Sequence, residues 1–155
     1  MKELYEIGFV FRGFVVVHHD FRTLPVEIDK NSNAQKDLRG AFVSAISSFV
    51  ETAFNNTYLE YLESSKVLFI FRMEKIKSSD NPEKEPIILY GLVEKNKKAE
   101  KLVKKFREKT KPLMQLFLQQ YTNKDFCELN QFEVFKESIA EYFKSKKIAE
   151  QSKLI

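Results

Sequence analysis

Ile87-Ile88-Leu89-Tyr90-Gly91-Leu92-Val93 is apolar at nearly every position. An amphipathic helix would interleave polar residues at a period of about 3.6, and a half-exposed strand would alternate. A short, continuous apolar run instead predicts a strand covered on both faces. Upstream, Val67-Leu68-Phe69-Ile70-Phe71 has the same character and predicts a second covered strand. The stretch from Lys75 to Pro86, with Ser78-Ser79-Asp80-Asn81-Pro82, reads as the loop between them. Before Ser64-Ser65, the segment Thr57–Glu63 sets Tyr58, Glu60 and Leu62 against Leu59, Tyr61 and Glu63, as a half-exposed strand would.

The first apolar region, Leu4 to Phe21, is rich in Phe and Val and too β-branched for a comfortable helix. Tyr5, Ile7, Phe9 and Phe11 fall on one face, and Arg12-Gly13 supplies the turn into a second strand, Phe14–Phe21. Ser32-Asn33-Ala34-Gln35 fits a capping box, and Asp37 adds negative charge near that helix start. Leu38, Phe42, Ala45, Ile46, Phe49, Val50 and Ala53 recur at helical spacing, with Ser44, Ser48 and Glu51 opposite. This predicts a helix with its Phe42 face on the sheet, ended by Asn55-Asn56. Gly40 and Ala41 permit close approach to that sheet.

Beyond Lys97 the chain reads as helical. Ala99, Leu102, Val103 and Phe106 form a stripe that Leu113, Phe117 and Tyr121 continue. Pro112 removes a backbone donor and predicts a kink or restart. Thr122-Asn123-Lys124-Asp125 is a joint, and Phe132, Phe135, Ile139, Tyr142 and Phe143 mark the buried face of a last helix. The order β-β-α-β-β-β-α-α describes an α+β fold, a five-stranded antiparallel sheet with helices on its faces. Side-by-side central placement of the first and fifth strands would explain the apolar run 87–93. Residues 1–144 then form a single domain, and the charged residues 145–155 form a tail expected to fray.

At 155 residues the chain suits one domain. One cysteine, Cys127, excludes an intramolecular disulfide framework and any multi-cysteine metal site, and four glycines leave little material for a phosphate-cradling loop. No run of about 18 apolar residues is present. No signal peptide or lipidation motif is read, so a cytoplasmic location is expected. The net charge of +4 is uneven. Lys95–Lys111 holds nine basic and two acidic residues, leaving 17 basic and 20 acidic residues elsewhere.

The hairpin Tyr5–Phe21, the helix Ser32–Phe54, the meander Thr57–Val93 and the helices Lys97–Phe143 together resemble the longin domain, one of the profilin-like folds. The segment Asp37-Leu38-Arg39-Gly40-Ala41-Phe42-Val43-Ser44-Ala45-Ile46-Ser47-Ser48-Phe49 is also similar to the first helix of archaeal longin- and roadblock-like proteins. Roadblock domains usually place a helix before the first hairpin, and none is read here. The resemblance implies a non-catalytic platform that binds a small GTPase or another longin or roadblock subunit, in a trafficking-type or GTPase-regulatory complex. Such a subunit would form a homo- or heterodimer. No heptad segment of the SNARE kind follows, which disfavours a SNARE role.

No catalytic, cofactor or metal site is expected. His18 and His19 point to opposite faces of a strand, and no third ligand accompanies His18 and Asp20. Cys127 reads as a small buried hydrophobe. The basic run has three readings: a solvated helix face, a surface for an anionic membrane or acidic partner, and a nucleic-acid contact. The aromatics belong mainly to the core, so nucleic acid is disfavoured. The contact residues of the second reading would be Lys97, Lys98, Lys101, Lys104 and Lys105. A separate candidate interface is the sheet edge at Tyr58, Glu60 and Tyr61, where unpaired backbone groups and aromatic area would serve a partner subunit.

Overall fold

The computed structural model describes residues 1–23, 40–48, 52 and 59–152. Five strands form one antiparallel sheet: β1 Leu4–Phe11, β2 Phe14–Asp20, β3 Tyr61–Glu63, β4 Val67–Ile76 and β5 Glu85–Glu94. Their spatial order is β2-β1-β5-β4-β3, so β1 and β5 lie side by side at the centre. Ile87, Ile88, Leu89, Tyr90 and Val93 are accordingly buried.

The first hairpin turns at Arg12 (φ 51) and Gly13 (φ 83), between the paired residues Phe11 and Phe14. Two successive positive-φ residues make the primed turn whose twist matches that of the flanking strands. A bulge in β1 between Leu4 and Glu6 changes the expected alternation. Leu4, not Tyr5, therefore joins Ile7, Phe9 and Phe11 in the main core, while Tyr5 lies under the Arg22 guanidinium.

The loop expected over Lys75–Pro86 is shorter. Lys75 pairs with Pro86 and Ile76 with Glu85, which extends β4 and β5 into a longer hairpin. Arg72, Glu74 and Lys75 hide this strand from a hydrophobicity reading.

A helical segment over 40–48, here α1, covers one face of the sheet, with Val43 buried against Val10, Phe71, Ile88 and Tyr90. Its docking face is not the expected one. Gly40 and Val43 are buried, whereas Phe42 and Ala45 are exposed. A Cβ on Gly40 would stand 2.8 Å from the Gly13 carbonyl oxygen, so the helix meets the hairpin turn through its smallest residue. That contact rotates Phe42 out to the edge of Phe69, at 6.4 Å between ring centroids. The expected capping box, the Asn55-Asn56 stop and Leu38, Phe49, Val50 and Ala53 lie outside the described residues.

The other face carries α2, Ala99–Tyr121, and α3, Glu133–Ser152, joined through a 3₁₀ turn at Leu129–Phe132. α2 does not restart at Pro112 but runs through it as one 23-residue element. Leu102, Val103, Phe106 and Thr110 before the proline and Leu113, Met114, Phe117 and Tyr121 after it are all buried, so the packed stripe continues across the proline. Thr110 is tolerated in that stripe because its hydroxyl donates to the Phe106 carbonyl at 2.8 Å. α3 also continues past Lys144, to Ser152. Glu150 there pairs with Lys109 of α2, which gives the charged turns a tertiary partner.

Candidate functional site

The fold brings part of the expected edge site and part of the basic run together. Glu60 and Tyr61 from the β3 edge face Val103, Lys104, Arg107, Glu108 and Lys111 of α2 across a groove of about 510 Å³. Tyr58 lies outside the described residues. The groove floor includes Arg72, which sequence reasoning had missed. A signal for it existed: Arg72 follows Leu68 and Ile70 on the buried face of β4, an unusual place for a guanidinium.

Two arginines bond strand to helix reciprocally. Arg72 Nη2 donates to the Arg107 carbonyl at 2.5 Å, and Arg107 Nη1 donates to the Phe71 carbonyl at 2.8 Å. Burial, and then the neighbouring Arg107 charge, push Arg72 below its ordinary pKa. Its Nε is buried and has no hydrogen-bond partner among the described residues. Such a donor costs about 1–3 kcal/mol until something accepts from it. Around these groups the rim alternates in sign, with Glu60, Glu100 and Glu108 among Lys104, Arg107 and Lys111. A mixed rim around an aromatic ring complements a polar protein surface better than a single ion or a uniformly anionic membrane. At the end of the edge, Glu63 is paired with Lys95 at 2.8 Å.

The five expected basic contacts Lys97, Lys98, Lys101, Lys104 and Lys105 are all exposed. They do not form one site. Lys104 lines the groove beside β3, whereas its neighbour Lys105 faces the α3 side of α2, because adjacent helical residues are about 100° apart.

A different polar cluster gathers at the first hairpin turn. Arg12 donates from Nε and Nη2 to both Glu85 oxygens at 2.8 and 2.7 Å, and from Nη1 and Nη2 to both Asp80 oxygens at 3.0 and 2.9 Å. The fully buried Ser78 adds a hydroxyl bond to Asp80 at 2.6 Å. The Arg12 bonds hold both carboxyls below their ordinary values, strongly so for Asp80. Carboxylates held so firmly ionised are weak bases, so the cluster serves as a clasp between β1, the 77–84 loop and β5 rather than as acid–base machinery.

The sign of its pH dependence follows. Groups with depressed folded pKa values stabilise above their ordinary values, and that contribution is lost as pH falls through the folded values. Arg12→Met is expected to cost about 1–2 kcal/mol at pH 7, given partial exposure of the charge-assisted bonds. The gap between wild type and variant should shrink below about pH 4, where the unfolded carboxylates begin to protonate. Urea midpoints at pH 7 and pH 3 measure it; an equal gap at both would contradict the clasp.

The remaining sequence candidates stay apart. His18 Nε2 lies 3.8 Å from Asp20 Oδ2 on one face of β2. His19, on the other face, packs edge-on to Phe21. No group of three or more His, Cys, Asp or Glu suited to a metal occurs among the described residues. Cys127 is exposed, contrary to the expected burial. It follows Phe126, which takes the core position instead. The Asp125 charge beside it raises its thiol pKa, which lowers its reactivity. No described helix is long and apolar enough to cross a membrane. A scan against protein-family models, a search of curated proteins and a search of solved structures each gave no match.

Proposed function

We propose that this chain is a non-catalytic, longin-like interaction module. Its partner is a small GTPase or a second longin- or roadblock-like subunit of a trafficking-type or GTPase-regulatory complex. The observation that carries this reading is the convergence of Glu60 and Tyr61 with Lys104, Arg107 and Arg72 around one groove at the sheet edge. An acidic or carbonyl-bearing segment laid against β3 would accept from Arg72, meet Tyr61 and leave the mixed charges on the rim.

The test is pull-down of small GTPases, loaded with GDP or a non-hydrolysable GTP analogue, and of longin and roadblock subunits from the same genome. At least one should bind, and Tyr61→Ala with Lys104→Glu should weaken it by about tenfold or more. Binding by none, or binding indifferent to both substitutions, would falsify the reading. The exposure of Lys97, Lys98, Lys101, Lys104 and Lys105 favours a second reading, peripheral attachment to an anionic membrane. Flotation with phosphatidylglycerol vesicles should then occur at low salt and fail at high salt; no salt-sensitive flotation discards it.

A further inference from the structure

A larger cavity, about 740 Å³, lies on the α3 side of α2 and takes no part in the groove. That volume is within the range of small-molecule sites, roughly 300–1,000 Å³. Its apolar lining comes from Leu4, Phe21, Ala140 and Phe143. The rings of Phe21 and Phe143 meet edge-to-face at 5.0 Å, and His19 packs on Phe21 at 4.6 Å. Burial keeps His19 below its ordinary pKa, so it presents a neutral ring at pH 7.

The cavity rim has one dominant sign. Lys2, Lys105, Lys144 and Lys147 line it, all exposed and none in an ion pair among the described residues. The other charges in the lining are mostly satisfied: Arg22 pairs with Glu94 at 3.1 Å, and Glu150 pairs with Lys109. An exception is Glu3, whose Oε2 is buried with no hydrogen-bond partner among the described residues. Four unpaired lysines around an aromatic floor therefore face one carboxylate.

We infer that this cavity binds an amphiphile with a phosphate or carboxylate head, its apolar body on Phe21 and Phe143 and its head among the four lysines. The head sits at the rim because desolvating an anion on the aromatic floor would be costly, while ammonium groups at the mouth attract it without burial. The mixed groove beside β3 has no comparable excess of one charge, so the two sites select different partners.

The test titrates the full chain with monomeric octyl phosphate, octanoate, octyl glucoside and inorganic phosphate, followed by NMR shifts and calorimetry. Octyl phosphate or octanoate should bind about tenfold or more tightly than the neutral-headed octyl glucoside or bare phosphate. Lys144→Gln with Lys147→Gln, both on an exposed helix face, should weaken binding by about tenfold. Ala140→Phe, which fills the cavity, should abolish it. Equal binding of octyl glucoside, binding unaffected by the lysine substitutions, or no binding of either anionic amphiphile overturns the inference. Flotation with phosphatidic acid vesicles separates the ligand sources. Capture by wild type but not by Ala140→Phe indicates a bilayer lipid, and octyl phosphate binding without flotation indicates a soluble ligand. Capture of both proteins without monomer binding indicates surface adsorption and overturns the cavity assignment.

Discussion

Phe117→Ala is expected to destabilise the protein by about 3–5 kcal/mol, the range for truncating a fully buried phenylalanine. Phe117 is the hub of the main core. Its ring stacks on Phe9 of β1 at 4.4 Å and meets Phe135 of α3 edge-on at 5.2 Å. Tyr121 lies at 4.7 Å, with Phe132 of the 3₁₀ turn at 6.0 Å. Aromatic pairs of this kind add about 0.5–1.5 kcal/mol beyond their buried area. No rearrangement of one element alone can fill the space, because the neighbours belong to the sheet and to both C-terminal helices. Urea unfolding should show the loss as a lower midpoint. Phe14→Ala, at a residue 64% exposed on β2, is the control and should change stability by about 0.5 kcal/mol or less. A Phe117→Ala loss below about 1 kcal/mol would sink the hub assignment. Because α3 carries Lys144 and Lys147, the variant should also loosen the lysine-rimmed cavity.

Gly91→Ala should cost about 1–3 kcal/mol, although it adds a single methyl group. Gly91 pairs with Ile7 on one side and Ile70 on the other, in the middle of the sheet. A Cβ there would stand 2.3 Å from Cε2 and Cζ of Phe106, whose side chain is fully buried. The ring cannot swing into solvent, so α2 must lift from the sheet or the ring must leave its rotamer. Shortening the obstacle relieves this. The double variant Gly91→Ala, Phe106→Leu should be less destabilised than the sum of the singles, by about 0.5 kcal/mol or more. Additive losses would mean that the methyl group and the ring do not meet. Since α2 forms one wall of the β3 groove, the same single variant should weaken any partner that seats there.

The residues that announced their structure correctly did so through short-range pattern. Ile87–Val93 signalled a doubly covered strand because alternate residues of β5 face different helical layers. Arg12-Gly13 signalled a turn because those two positions carry the positive φ angles of the hairpin. Pattern failed where a distant contact overrode it. Pro112 predicts an interruption from local chemistry alone, yet α2 runs through it with buried residues on both sides. Phe42 has the composition of a core position, but the fit of Gly40 against the Gly13 carbonyl turns it outward. The candidate groove was half legible: Glu60, Tyr61 and Lys104 could be singled out, Arg72 carried a signal only in its place on the apolar face of β4, and the facing of the β3 edge and α2 across one groove could not be read. The clasp of Arg12, Asp80 and Glu85 was invisible, because its members lie 68 and 73 residues apart in sequence.

The amino-acid sequence alone supplied the order of elements, an antiparallel five-stranded sheet, and a net positive charge concentrated in one segment, and the covered run 87–93 suggested the central pairing of β1 and β5 that the structure shows. These follow from side-chain period, turn chemistry and composition, each a property of a few neighbouring residues. Tertiary structure decided which face of α1 meets the sheet, where an arginine on β4 finds its partner, and how one basic run divides. Lys104 and Lys105 are adjacent in the chain, but the helical rotation between them sends one to a mixed-charge groove and the other to a lysine-rimmed cavity. What each lysine faces is set by the element packed on that side of α2, a relation that exists only once the layers have assembled.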